Sequence, residues 1–503
     1  MNDSSPWRRP KTVDRVGHLL QGSAAATPDA PAVHDPVRGT LSYSALAAEV
    51  TRLAELMRGS VVAGDRVVIV TENGVGAVAA IFAAWACDAI AVPVNARQRP
   101  RELDRIIAHA DPRIVAFCAD VSPDAQAHAR RMGADESALP LLMRKTTGNV
   151  GPADVAVVLY TTGTTGDPKG VMLTHGNVCF GGRTSAALRD MSARDVIYGA
   201  LPVSHVFGLC SVLVASVGQG AFIRLVPRFD AEAALEALCS GITLFSAVPQ
   251  MHALIMDAAR RRGIQRLGSD ALRYVSSGAA PLDPAWKRSA EAFYGVAVQN
   301  GYGLTESTAG VAATRNTIGI DDISVGPALP GVKIAIDEAV PGGGDGAGEV
   351  LTQGPHVMAG YYRAPEATSA VVSEDGWLRT GDLGRIDRSW HLHILGRSKE
   401  LIIRGGFNVY PPEVEAVLTD HPSVVQSAVV GRAVAGDEEV VAFVQPVHGR
   451  GLSEGDLRHF VSQRLAGYKC PARYIFSDTL PAAPTGKILK HKLLGHFAEH
   501  LRD

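Results

Sequence analysis

The sequence predicts an α/β protein: a large N-terminal domain with doubly wound, mostly parallel sheets plus a small antiparallel β layer, followed by a small α+β C-terminal domain. Three observations predict it. From about Leu41, short β-branched runs alternate with helical patterns, which is the signature of βα units on a mostly parallel sheet. After about Ser324 helices become scarce and Gly-rich turns separate short strands, as in an antiparallel layer. From about Lys399 strand and helix alternate again over about a hundred residues, a domain-sized length. At 503 residues the chain also exceeds what one hydrophobic core usually serves.

In order, YSALAAEVTRLAELM reads as a helix and RVVIV as a strand. The apolar stretch from Val75 to Val94 has about the length of a membrane span. Asp88 interrupts it and Pro93 nearly ends it, so the preferred reading is a buried helix feeding a buried strand. The pattern resumes with VAVVLY, IYGALPV, AFIRLV, AEAALEALCS, ITLFSAV, LRYVSSG and VAVQNGYG. VKIAI, GEVLTQG, WLRTGDLGRID and WHLHILGR form the antiparallel layer, and PGGGDGAG is expected to be a flexible surface turn within it. The last segment reads ELIIRGG, PPEVEAVLTDH, VVQSAVVG, VVAFVQPV, SEGDLRHFVSQRLAG and RYIFSD.

Composition narrows the function. An apolar share of 46% and a charged share of 20% belong to an ordinary globular chain. With 49 Lys plus Arg against 51 Asp plus Glu, the net charge of -2 gives no electrostatic reason to bind nucleic acid or to insert into anionic membranes. Small molecules are the expected partners. Cys87, Cys118, Cys179, Cys210, Cys239 and Cys470 make no CxxC pair and read as free thiols of a reducing compartment. The N-terminus has no apolar run before a small-residue cleavage site, so the expected location is cytoplasmic. The oligomeric state is left open, a homodimer included.

Several motifs carry chemistry. YTTGTTGDPKG, Tyr160 to Gly170, follows a strand; its glycines let backbone amides approach oxyanions, with hydroxyls and Lys169 as further donors. It is not a Walker A loop, because the order GK[ST] is missing. Alone it also reads as a polar surface turn. LPVSHVFG, taken alone, is a strand end with a core histidine, and SSGAAPL a tight βα turn. QNGYGLTES, RTGDLG, GRSKELIIRGG and PAAPTGKILKHKL follow in order.

Together these stretches resemble the adenylate-forming enzymes that comprise acyl-CoA synthetases, peptide-synthetase adenylation domains and firefly luciferase, over about Leu41 to Leu489. The resemblance implies ATP, Mg²⁺ and coenzyme A. It implies an ATP- and acyl-binding domain over 1–396 and a mobile domain over 397–503, with the hinge near Lys399. Thr161, Thr162, Gly163, Thr164, Thr165 and Lys169 would cradle the triphosphate. Gly278, Ala279 and Ala280 would lie against adenine and the acyl group, Asn300 at the adenine edge, Gly301 and Tyr302 on the nucleotide. Thr305 would hold the α-phosphate region and Glu306, with Thr161, would ligate Mg²⁺, a hard ion that prefers oxygen. Asp382 would accept from the ribose hydroxyls, and Arg397 would meet ribose and phosphates. Gly405 and Gly406 would line the pantetheine channel, where a Cβ would narrow the tunnel. Lys487 would bridge the substrate carboxylate and the α-phosphate. His205 and Phe207 would stand beside the acyl pocket.

Val203, Ser204 and His205 supply no carboxylate for an α-amino group, which disfavours amino-acid substrates. Phe207, Gly278, Gly301, Gly303 and Val311 include no Arg or Lys, whereas malonate-type ligases carry a basic residue where Gly301 stands. A second carboxylate would be unpaired at a cost of several kcal/mol, so an apolar fatty or aromatic monocarboxylate is expected. The chain ends 16 residues beyond Lys487 with no carrier domain, which favours free CoA over loading of a carrier protein as acceptor. A regulatory protein without turnover is disfavoured, because Lys487, Glu306, Asp382 and Arg397 are all present.

Overall fold

The computed structural model describes residues 15–134, 139–144, 151–162, 168–278, 282–308, 310–405, 407–434, 437–447, 451–482 and 488–501, with Thr162 and Pro168 in backbone only. Two large sheets form first. In one, the strands Tyr274–Gly278, Leu244–Ala247, Val196–Gly199, Phe222–Leu225 and Pro31–Asp35 lie parallel in that order. Val298–Tyr302 adds in parallel beside Tyr274–Gly278, and short antiparallel strands close both edges. In the other, Val155–Thr162, Ile90–Asn95, Arg66–Thr71 and Ile114–Phe117 are parallel, again with antiparallel edges.

The stretch from Val75 to Val94 is core, as expected. Helix Val75–Ala86 is buried all round and strand Ile90–Asn95 is buried throughout. Buried Asp35 accepts from Val75 N at 2.7 Å, which fastens the helix start to the other sheet. Asn73, also buried, donates to Gly199 O and Leu201 O and accepts from Val203 N, so the segment that leads to His205 is pinned to the second sheet. A single cluster containing Val67, Phe82, Val157, Leu209 and Ile223 runs across both sheets.

The antiparallel layer has the expected four strands, Lys333–Asp337, Ala347–Gln353, Leu378–Ile386 and Leu392–Arg397. The PGGGDGAG segment is a largely exposed surface turn, as expected, and it is also a contact point. Tyr410 donates its hydroxyl to Gly342 O at 3.2 Å, and a Cβ on Gly342 would come within 2.5 Å of Leu401. Two other elements escaped the sequence reading. Strand Pro168–Thr174 returns antiparallel to Val155–Thr162, so the two described flanks of the phosphate-loop motif, Tyr160–Thr162 and Pro168–Gly170, pair with each other. Phe207 opens a π-helical segment, Phe207–Val214.

Residues 402–501 hold cores of their own, one around Val409, Val414, Val440 and Leu457 and one around Phe443, Ile475 and Phe497. Hairpin Val424–Val434/Asp437–Pro446 and strand Arg473–Phe476 form a sheet with helices Pro411–Thr419 and Glu454–Ser462 on one face and helix Lys490–His496 on the other. Lys490 is clamped between Glu400 (3.1 Å) and Glu415 (2.8 Å), which draws the segment after Lys487 back to the turn that holds Lys399. Among the described residues, no helix is long and apolar enough to cross a membrane.

Asp420, just past helix Pro411–Thr419, lies against Asp283, the N-cap of helix Pro284–Tyr294. Burial and then the hydrogen bond and charge of Asp283 push the Asp420 carboxyl up to about 6, against the pull of Arg464 and Arg288. The folded protein therefore holds a proton that the unfolded chain releases near pH 3.8, and this contribution to stability falls as pH rises from there through about 6. Asp420→Asn is expected to raise the melting temperature at pH 7.5, with the difference shrinking below pH 6 and vanishing only as the pH falls below 3.8; calorimetry across that range checks it, and a pH-independent difference contradicts it.

Candidate active site

The site is built at the carboxyl ends of parallel strands, where open α/β sheets place ligands. Tyr274–Gly278 and Val298–Tyr302 end side by side, with Gly278 opposite Gly301. A Cβ on Gly278 would stand 3.1 Å from the Phe207 ring, so the small residue lets that ring close over the strand end. The turn before the π-helix is equally tight: a Cβ on Gly208 would clash with Pro202 O. This places His205 and Phe207 beside the strand ends. His205 keeps accessible surface although protein crowds it, as a side chain lining a cavity does, and burial lowers its pKa, so the ring is neutral at pH 7.

Tyr302 leads from the large sheet to the antiparallel layer. Its hydroxyl donates to Asp382 Oδ2 at 2.6 Å, while Arg397 Nε stands 3.0 Å from Asp382 Oδ1. Asp382 and Arg397 face each other across the paired strands Leu378–Ile386 and Leu392–Arg397. Asp382 is 5% exposed. Its charge holds the Arg397 guanidinium above its ordinary pKa; burial and then the same carboxylate push the Tyr302 phenol well above its own, so it remains a donor. A carboxylate with this aromatic neighbour and cation suits a diol-bearing planar ligand.

The second cluster begins at the short 3₁₀ turn Thr305–Ser307, where Ser307 Oγ accepts from Leu304 N. Thr308 follows at φ 51, a left-handed conformation for a β-branched residue, and its hydroxyl donates to His356 O at 2.6 Å. Glu306 is fixed twice: its carbonyl accepts from Met358 N and its Oε1 accepts the Tyr361 hydroxyl at 2.9 Å. On the hairpin, Thr161 pairs with Lys169, whose Nζ lies 5.0 Å from the Tyr361 ring centroid. Glu306 also adds to the negative charge that acts on Arg397, so the two clusters lie within electrostatic reach of each other. Anionic oxygens near Lys169 and a hard cation near Glu306 are what this half can hold.

The structure therefore brings together Thr161, Lys169, Glu306, Tyr302, Asp382 and Arg397, with His205, Phe207, Gly278 and Gly301 on the adjoining side. Gly303 and Thr305 lie between, partly exposed. Lys399 is in the turn directly after Arg397. Two residues stand differently from expectation. Asn300 is 3% exposed, and its amide donates to Ser324 O and accepts from Gly301 N, so it braces the strand. Val311 has no exposed surface and packs with Ala313, Leu329 and Val332 against Tyr302, so it backs the wall without lining it. Gly405 has a φ of 58, which favours glycine, and open space on the side where a Cβ would stand. The Thr162 side chain and Gly163, Thr164, Thr165, Ala279, Ala280, Gly406 and Lys487 lie outside the described residues.

Tyr361 escaped the sequence reading. The GYY in which it stands looks like an ordinary aromatic core pair, and only the return of strand Gly360–Tyr361 against Pro168–Thr174 turns its hydroxyl toward Glu306.

Comparison with known proteins agrees with this geometry. Sulfoacetate–CoA ligase of Cupriavidus necator is 31% identical, covering 97% of this chain and 99% of its own length. Feruloyl-CoA synthase of an Amycolatopsis species is 33% identical, covering 91% and 94%. The o-succinylbenzoate coenzyme A synthetase of Bacillus subtilis, solved in complex with ATP and magnesium ion, superposes with a TM-score of 0.80 at 28% identity, covering 94% of this chain and 98% of that one. Residues 413–487 match the family model of the AMP-binding enzyme C-terminal domain. Residues 20–362 match that of AMP-binding enzymes, and with the paired carboxylate and arginine at the strand ends this establishes that the chain belongs to the AMP-binding enzyme family.

Proposed function

We propose that the protein is an ATP-dependent acid:CoA ligase that activates an apolar monocarboxylate, fatty or aromatic, in two half-reactions. The observation that carries the reading is the pair of neighbouring clusters, Tyr302 with Asp382 and Arg397, and Glu306 with Lys169 around Tyr361, which lie within electrostatic reach of each other. A carboxylate oxygen of the acid attacks the α-phosphorus of ATP, the bond to the pyrophosphate leaving group breaks, and acyl-AMP forms. The CoA thiol, losing its proton, then attacks the acyl carbon and expels AMP. A free carboxylate has no leaving group better than oxide, which is why nucleotide is consumed.

In the first step Asp382 accepts from the ribose hydroxyls, Tyr302 packs on the nucleotide and Arg397 meets its anionic oxygens. Lys169 and Thr161 hold the outer phosphates. Mg²⁺ fits beside Glu306: one carboxylate oxygen is taken by Tyr361 and the other remains, with Thr161 on the facing hairpin. Bound there, the ion supplies neutralisation of phosphate charge. Lys487 bridges the two anions that otherwise repel. The same proposal divides the chain into 1–396 and 397–503 with the hinge at Lys399, so that Lys487 serves adenylation and the Gly405-Gly406 turn serves thioester formation. The six cysteines, all free, fit a reducing, cytoplasmic setting.

For the substrate, Phe207, Gly278 and Gly301 offer apolar or small surface, and neutral His205 supplies no cation. A second carboxylate would stand unpaired there. Pyrophosphate release with a panel of carboxylic acids, with CoA present or replaced by a carrier protein, tests the reading: release should need an apolar acid and turnover should need free CoA. Release without acid, or turnover with carrier protein alone, overturns it.

Two variants sharpen it. Lys487→Ala should slow adenylation by a factor on the order of 100 to 1,000, as for loss of one preorganised donor, while thioester formation from synthetic acyl-AMP stays near wild type. An equal fall in both half-reactions contradicts separate faces for the two steps. At Gly301 a Cβ would meet only Ala312 O at 3.5 Å and Ala313 Cβ at 3.8 Å, ordinary contacts that admit a side chain. Gly301→Arg should shift relative kcat/KM from apolar acids toward malonate by roughly tenfold or more. Unchanged preference would place the acyl group elsewhere.

A further inference from the structure

Tyr361 belongs to none of the stretches that define the site, yet it touches both ends of the phosphate half. Its hydroxyl donates to Glu306 Oε1 at 2.9 Å, and the face of its ring lies 5.0 Å from Lys169 Nζ. Nothing about this placement is loose. Tyr361 is 8% exposed and pairs with Val171 on the hairpin that carries Lys169. Its backbone N donates to Thr368 Oγ1 at 2.8 Å, and the same threonine packs where a Cβ on Gly360 (φ 134) would go. Met358, three residues earlier, donates from its backbone N to the Glu306 carbonyl. One short segment, Met358 to Tyr361, therefore fixes Glu306 at backbone and side chain while it supports the hairpin cation.

Chemistry gives the consequence. A glutamate on a one-turn 3₁₀ segment has three side-chain torsions to order before it can meet a cation. A single donated hydrogen bond to one oxygen orders them and leaves the other oxygen to coordinate, which is the usual service of groups behind a ligand carboxylate. The ring face, negative at its centre, attracts the Lys169 ammonium and holds it near the phosphate side.

We propose that Tyr361 is a positioning residue of the adenylation half-reaction: its hydroxyl sets the Glu306 carboxylate for the metal of metal·ATP, and its ring sets Lys169 for the phosphates. The proposal rests on the ligase reading and adds to it a residue that touches neither substrate nor metal. The two functions separate by substitution. Tyr361→Phe keeps the ring and loses the hydroxyl with little change of volume; Tyr361→Leu loses both.

The experiment measures binding of Mn²⁺ with ATP by electron paramagnetic resonance, binding of metal-free ATP by calorimetry, and both half-reactions. Tyr361→Phe is expected to weaken Mn²⁺ binding in the presence of ATP on the order of tenfold, to raise the Mg²⁺ needed for half-maximal pyrophosphate exchange by a similar factor, and to leave metal-free ATP binding unchanged. Thioester formation from synthetic acyl-AMP should stay at the wild-type rate. Tyr361→Leu should in addition weaken metal-free ATP binding several-fold. In a Glu306→Gln background, Tyr361→Phe should add nothing further to the loss of Mn²⁺ binding. Wild-type Mn²⁺ binding in Tyr361→Phe overturns the proposal alone, and so does an equal fall of all four quantities, which a merely structural residue would produce. A wild-type protein that binds no Mn²⁺ with ATP overturns the ligase reading and this proposal with it.

Discussion

The carboxylate of Asp382, buried between the Tyr302 hydroxyl and the Arg397 guanidinium, is the contact on which the rest of the site depends. It joins two layers that share no backbone pairing there: Tyr302 ends a strand of the large sheet, while Asp382 and Arg397 face each other in the antiparallel layer. Removing the half-exposed Arg397 guanidinium would take from the buried Asp382 carboxylate the counter-charge 3.0 Å away. The same three groups present a carboxylate, a cation and an aromatic face to the open space. Structural joint and ligand cradle are one arrangement, so the geometry is set before any ligand arrives.

The phosphate half has a different construction. Its Glu306 sits on a single 3₁₀ turn, closed locally by Ser307 and Leu304 and followed by a left-handed threonine. Further support comes from outside the turn, through His356, Met358 and Tyr361, all on the segment that returns to the hairpin. Sequence-distant elements thus supply rigidity where catalysis needs it. The hairpin itself, with strand Pro168–Thr174 returning on Val155–Thr162, brings Thr161 and Lys169 opposite each other at its described end.

Much of this was legible in the residues. The continuous apolar run from Val75 to Val94, broken at Asp88, declared a buried helix and strand, and four Gly-bounded runs declared the antiparallel layer. Asp382, Arg397, Tyr302 and Glu306 stood in motifs whose order is informative. What was not legible depended on tertiary packing. Asn300 looked like a ligand contact, but it is buried and its amide bonds to Ser324 and Gly301; Val311 looked like lining and is core; the PGGGDGAG surface turn gave no sign that it receives Tyr410. Tyr361 carried no local mark at all. Periodicity reports which face is apolar, and it cannot report which hydroxyl a returning strand will bring to a carboxylate.

The most direct test of the central claim is a crystal structure with a nonhydrolysable acyl-adenylate mimic. The account predicts both ribose hydroxyls within hydrogen-bond distance of Asp382, the adenosine against Tyr302 and the acyl group directed toward Phe207 and Gly278. A mimic bound away from Tyr302 and Asp382, or with its acyl group remote from Phe207, contradicts it.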